Sequence, residues 1–419
     1  MKRILAAALA ALMLTGCGTL KAAESTVPET ASVTEVVLSD EGISVNGGNE
    51  TEAVFTSNDI IYYEDKVAYE SGNPYGEGKE HERHSAEEAA AHTVVNITKP
   101  GAYRVSGKLS HGQIRVDLGD DAYEEEDAVV ELILADADIT CTVAPAILFL
   151  NVYECDGSWS EEEAQADVDT SNAGANLILE GKNTVSGSHV AKIFKDKDGE
   201  KKLWKQDAAI YSYMSMNIDG SGILSLTADN EGLGSELHLT INKGNISIES
   251  GNDGIYTNED DVSVITINGG NIGISAGLEG EGDCMDSNGY LVINDGHIIA
   301  FAHPASDSGL DSSQGTFLHG GSVVAMGSAE DGIHEDSRQI TMNLQFTTPQ
   351  SPRSEIVLTR QDGTKIYDFQ VEDAYDRPYT GLILASDAFQ PGEIYHLYID
   401  GQPMQHHNTV DFQIHDTVN

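Results

Sequence analysis

Four short stretches carry acidic residues in a common pattern: Asp253-Gly254-Ile255, Asp283-Cys284-Met285-Asp286, Ser308-Gly309-Leu310-Asp311 and Asp331-Gly332-Ile333. If they stack, one column holds Asp253, Asp283 and Asp331, with Ser308 and its neighbour Asp307 at the third level. A second set, offset by three, holds Asp286 and Asp311, then His334 with Glu335 and Asp336 beside it. Carboxylates about 5 Å apart, the spacing of neighbouring strands, repel one another. A hard cation with about six to eight oxygen ligands removes that repulsion, and calcium matches such a donor set. The predicted metal ligands are therefore Asp253, Asp283, Asp286, Asp307, Asp311, Asp331, Glu335 and Asp336, with calcium as the cofactor. In the competing reading the same aspartates only close turns through nearby backbone N–H groups.

The elements that must position these residues repeat with them. Ile241-Asn242-Lys243-Gly244-Asn245-Ile246 returns as Ile267-Asn268-Gly269-Gly270-Asn271-Ile272 and as Ile293-Asn294-Asp295-Gly296-His297-Ile298. A looser copy is Leu318-His319-Gly320-Gly321-Ser322-Val323, so the offsets are 26, 26 and 25 residues. A fixed period in this range signals stacked repeats. Alternation such as Ile246-Ser247-Ile248 has period two, which is strand patterning, and Gly, Asn and Asp close each run. Three short strands per repeat make one coil of a parallel β-helix with a ladder of Ile, Val and Leu inside. A propeller blade needs about 40 or more residues, which disfavours that alternative.

The formal net charge of −46 argues against nucleic acid and anionic membrane surfaces as partners, because both require Lys and Arg. It favours cations. Between Leu239 and Ile340 the only Lys or Arg residues are Lys243 and Arg338, so the repeat lacks the basic partners that elimination chemistry on uronic acids uses. A hydrolase needs only two carboxylates, for which Asp286 and Asp311 are candidates, but a pair is uninformative among so many acids. Tyr256 and Tyr290 offer aromatic surface for sugar, and Glu279 lies in the loop before Asp283. These three are the expected carbohydrate contacts.

At the N-terminus, Lys2-Arg3 precede a short apolar run that ends in Leu14-Thr15-Gly16-Cys17. This is similar to a bacterial lipobox, so residues 1–16 are expected to be a lipoprotein signal peptide, with Cys17 lipidated. Residues 17–32 then form a flexible tether. The expected location is the extracellular face of the cell membrane, held there by the lipid. Ser85-Ala86-Glu87-Glu88 predicts a capping box. The repeat domain is bounded at 33–345. Residues 346–419 carry Asp362-Gly363 and Pro391-Gly392 turns between short strands and form a β cap and tail. Cys141 and Cys155 are compatible with a disulfide outside the cytoplasm, a pairing that sequence leaves open.

The chain resembles a bacterial carbohydrate-binding β-helix family whose coils repeat glycine-glycine-x-isoleucine and aspartate-glycine-isoleucine motifs. The resemblance rests on residues 97–107, on Asp207-Ala208-Ala209-Ile210, on Ile218-Asp219-Gly220-Ser221-Gly222, on the Asp253 and Asp331 motifs, and on Phe389-Gln390-Pro391-Gly392-Glu393-Ile394-Tyr395. Cys284-Met285 and Gly309-Leu310 depart from it. It implies an all-β fold, a right-handed parallel β-helix (solenoid) like that of pectate lyases, with a C-terminal β cap. It also implies calcium and a pectin-like or cellulosic polysaccharide as partners. The expected function is polysaccharide binding by a monomeric lipoprotein without catalysis, the polymer being acidic and polygalacturonate-like. The alternative is a calcium-dependent polysaccharide lyase or a glycoside hydrolase.

Overall fold

The computed structural model describes residues 33–64, 80–158, 160–195, 202–303, 307–328, 332–370, 377–404 and 409–415. Met1–Ala31 and Ser32–Asn419 separate as two units, and all described residues lie in the second. Cys17 and the proposed tether fall outside the described residues, as does Asp331.

The described chain is nearly all β. Its only α-helix is the single turn Ala86–Ala90, where the Ser85 hydroxyl accepts from the Glu88 N–H and the Glu88 carboxylate accepts from the Ser85 N–H. Strands gather into a 19-stranded sheet, a 9-stranded sheet and two small sheets.

Parallel ladders dominate, and the sequence repeat sets their register. Ile218, Ile241, Ile267, Ile293 and Leu318 pair in succession along one ladder. Leu224, Ile246, Ile272, Ile298 and Val323 do so along a second. A third ladder, the 9-stranded sheet, pairs Ile210 with Leu233, Ile255 and Met285. Successive repeats thus add rungs to all three ladders, until the last copy, which among the described residues adds none to the third. The residues named on these ladders are almost wholly buried, so the apolar column that the period predicts is the core. Burying one such side chain stabilises by about 1.5–3 kcal/mol.

Side-chain amides reinforce the stack: Asn268 donates to Asn242 and Asn294 donates to Asn268, both at 2.9 Å. The corners between the first two ladders use Gly244, Gly270, Gly296 and Gly321, all at positive φ. A Cβ on Gly321 would lie 2.7 Å from the Gly296 carbonyl oxygen, so the corner admits no side chain at that level.

The parallel ladders close at both ends with antiparallel strands. Val54–Ser57 pairs with Thr93–Ile97 at the start, and Ser322–Gly327 pairs with Tyr379–Ser386 at the end. All strand pairings beyond Gly327 among the described residues are antiparallel, and they enclose a second apolar core that includes Phe346, Ile356 and Leu382. Val190–Lys195 and Lys202–Gln206 form an antiparallel hairpin that leads directly into the third ladder. Cys141 and Cys155 are both free.

Candidate functional site

The third ladder presents the acids. Its strands are Ala208–Ser212, Glu231–Ser235, Ile255–Thr257, Met285–Ser287 and Asp311–Ser312. Tyr211, Gly234, Tyr256, Asp286 and Asp311 share one register position. Just ahead of the strands a second column forms, in which the Gly232 N–H donates to the Asp253 carbonyl, Gly254 to Asp283, and Cys284 to Ser308. Glu231, Asp253, Asp283 and Ser308 therefore follow one another from rung to rung. The residue after each acid must be small: a Cβ on Gly254 would lie 2.3 Å from Cγ2 of Ile274 and 2.6 Å from the Cys284 carbonyl oxygen. Cys284 takes this place on the next rung and is fully buried.

Asp253, Asp283 and Asp286 each offer a carboxylate oxygen, and the three atoms lie within 4.8 Å of one another. The Asp283 N–H donates to Oδ1 of Asp253 at 2.8 Å, and the Ser308 N–H donates to Oδ1 of Asp283. Each of these aspartates thus closes the backbone of the following rung with one oxygen. Burial raises the pKa of Asp253 to about 6, against the Asp283 hydrogen bond and Lys205, which lower it; Asp307 and Asp207 add to the rise. Burial likewise raises Asp283 to about 8, opposed by the Ser308 hydrogen bond and reinforced by Asp253, Asp311 and Asp286. A cluster of oxygen donors under mutual repulsion suits a hard divalent cation.

Sequence reasoning missed the other end of this row. The hairpin brings Lys205 onto the acids, 2.8 Å from Oδ2 of Asp207 and 3.1 Å from the Tyr256 hydroxyl, with its ammonium 4.2 Å from the Tyr256 ring centroid. Burial works against the charged amine, but Glu231 and Asp207 outweigh it and raise its pKa. Glu231 is 3% exposed, and its Oε2 has no hydrogen-bond partner. Burial, then Asp207, drives the Glu231 pKa well up. Farther along, His189 pairs with Asp229 at 3.0 Å and approaches Glu82 at 3.9 Å. Burial disfavours its charge, yet hydrogen bonds to Asp229 and Glu82 lift it to about 10. A signal for Glu231 was present, since Glu231-Gly232-Leu233 is the aspartate-glycine-isoleucine motif with Glu in place of Asp. Lys205 had none, because it lies outside the period.

The remaining expected ligands scatter. Asp311 follows Asp286 along its column, and Oδ2 of Asp307 accepts from the Gly282 N–H at 2.9 Å. Glu335 and Asp336 are exposed and do not continue either acidic column. Their segment leaves the third ladder: Ile333 bridges to Thr316, a first-ladder residue, and the His334 N–H donates to the Thr316 carbonyl. From Ile333 onward the fourth copy of the motif therefore docks on the first ladder and not on the third.

Tyr256 is buried, with Lys205 over its ring, and presents no open aromatic face. Glu279 is exposed in a turn, its N–H donating to the Gly251 carbonyl. Tyr290 is half-exposed on the first ladder, 6.3 Å from the Phe317 ring, which in turn lies 4.2 Å from His334.

A family model described as a carbohydrate-binding domain-containing protein matches residues 91–342. A curated relative of that same description from Acetivibrio thermocellus is 31% identical over 157 residues, which is 37% of this chain and 45% of the relative. The aligned region thus spans less than half the length of that relative. A solved structure described as the polysaccharide lyase-like protein from C. thermocellum, in a gadolinium derivative, is 21% identical with a TM-score of 0.40, covering 69% of this chain and 93% of that one. Because the family model spans more than half of the 419 residues, the chain belongs to the carbohydrate-binding domain-containing protein family.

Proposed function

We propose that this protein binds polysaccharide, specifically an acidic, polygalacturonate-like polymer, through calcium and without cleaving it. The observation that carries the reading is the convergence of Asp253, Asp283 and Asp286 within 4.8 Å. These three residues would hold the ion. Calcium takes about six to eight oxygens, so three carboxylates leave coordination positions for a uronate carboxylate and hydroxyls. The ion then resolves an electrostatic conflict, because a chain at −46 otherwise repels a polyanion.

The lyase alternative needs an unprotonated base open to the sugar. Lys205 is a cation beside the acidic row, and Glu231 and Asp207 hold it protonated. The Tyr256 phenol is buried and its pKa is raised, first by that burial. Neither group suits proton abstraction at neutral pH.

The parallel ladders support a right-handed parallel β-helix with a C-terminal β cap. Leu14-Thr15-Gly16-Cys17 supports a lipoprotein displayed on the outer face of the membrane. Fatty-acid labelling tests the anchor, and label that persists in Cys17→Ala rules it out.

Affinity electrophoresis in polygalacturonate, with calcium and with EDTA, tests the binding. Retardation with calcium alone and no unsaturated product is the expected result. Retardation unaffected by EDTA overturns the calcium bridge, and product formation makes the protein a lyase.

A further inference from the structure

The three-carboxylate site has a counterpart one rung earlier. Asp253, Asp283 and Asp286 are followed backwards along their columns by Glu231, Asp253 and Tyr256, since Gly232 and Leu233 donate to Asp253 and Gly254, and Tyr256 pairs with Asp286. At this earlier level a phenol stands where the later one has a carboxylate. Its hydroxyl accepts from Nζ of Lys205 at 3.1 Å and from Nδ2 of Asn288 at 3.1 Å, and donates to Oδ1 of Asn258 at 2.7 Å. The same ammonium is 2.8 Å from Oδ2 of Asp207. Glu231 is 97% removed from solvent, and its Oε2 has no hydrogen-bond partner.

We propose that the row contains a second cation position, lined by Asp207, Glu231 and Asp253, that Lys205 fills as a tethered cation and that takes a divalent ion once Lys205 is removed. The proposal rests on the reading of Asp253, Asp283 and Asp286 as an ion site, whose geometry it carries back one rung. Lys205 and Tyr256 act as a matched pair: the lysine replaces the ion, and the tyrosine replaces the carboxylate that would otherwise face it. The unpartnered oxygen of Glu231 is a donor that an ammonium reaches only through space and that an ion would bind directly. A lysine at this position also secures the early rungs without free calcium, leaving the later position to respond to it.

The test is calcium titration by calorimetry of the full chain, comparing wild type with Lys205→Met/Tyr256→Asp, with circular dichroism to verify folding. The expected result is one additional calcium per chain in the double variant. The gained ion should survive Asp286→Asn in that background, because this change removes only the later position. An unchanged stoichiometry in a folded double variant overturns the proposal. Wild type that binds no calcium, beside a double variant that binds one, overturns the proposed function's ion site while sustaining this one. Should the double variant not fold, Lys205→Met alone decides: its melting temperature should fall more in EDTA than in calcium, and equal losses in both overturn the proposal.

Discussion

The backbone N–H of Asp283 donates to Oδ1 of Asp253 at 2.8 Å, so a carboxylate of the acidic trio is also a turn cap for the next rung. The two readings of these aspartates, as ligands and as caps, therefore describe one geometry. They come apart on substitution. Asp253→Asn keeps an acceptor for the Asp283 N–H and removes the charge, so it should fold normally and bind calcium much more weakly. Asp253→Ala leaves that N–H without its acceptor, at a cost of about 1–3 kcal/mol. Urea melts in EDTA check the second outcome and calcium titration the first. Equal loss of stability in both variants contradicts the division of roles.

Acidity acts on the same residues. Asp253 and Asp283 have folded-state pKa values of about 6 and about 8 against 3.8 for an ordinary aspartate. With the ion absent, the native state binds more protons than the unfolded chain, so stability falls as pH rises. The contribution is fully present below about pH 4 and is lost as pH climbs toward about 8. Melting temperatures in EDTA should decline across that window from these two groups, and calcium should restore them at the upper end. Calcium affinity should weaken in the opposite direction, as protons compete for the same oxygens. Asp253→Asn/Asp283→Asn should flatten both trends.

Packing behind the acids is equally restrictive. A Cβ at Gly254 would lie 2.3 Å from Cγ2 of Ile274. Gly254→Ala should therefore destabilise by about 1–3 kcal/mol, as overpacking does. It should also weaken calcium binding, because Asp253 precedes it directly. A variant as stable as wild type contradicts the close approach.

Tyr290 lies on the first ladder beside Phe317, whereas the acidic trio belongs to the third. Tyr290→Ala should leave calcium-dependent retention on polygalacturonate intact while reducing any retention on a neutral glucan, where aromatic faces carry the contact. Electrophoresis in the two polymers separates these effects. Loss of both together places the sugar across the two ladders.

Periodicity alone determined much of this protein. Ile241, Ile267 and Ile293 recur at 26 residues and do stack on one ladder, because side chains one full repeat apart must meet when rungs pair in parallel. By the same rule Asp253 and Asp283 fall in one column and Asp286 in the set offset by three, and these three do meet, although their ladder advances by 30 residues between Ile255 and Met285 rather than 26. Only the tertiary structure decided the rest. Ile333 ends on Thr316, so Glu335 and Asp336 lie off the acidic columns, because a backbone committed to the first ladder does not extend the third, whose last described strand is Asp311–Ser312. Lys205 arrives from a hairpin outside the repeat, and the direction in which a hairpin folds back is set by packing, not by period. That lysine meets buried acids whose repulsion is visible only once the chain has brought them together, and this is why the charge balance of the site could not be read in advance.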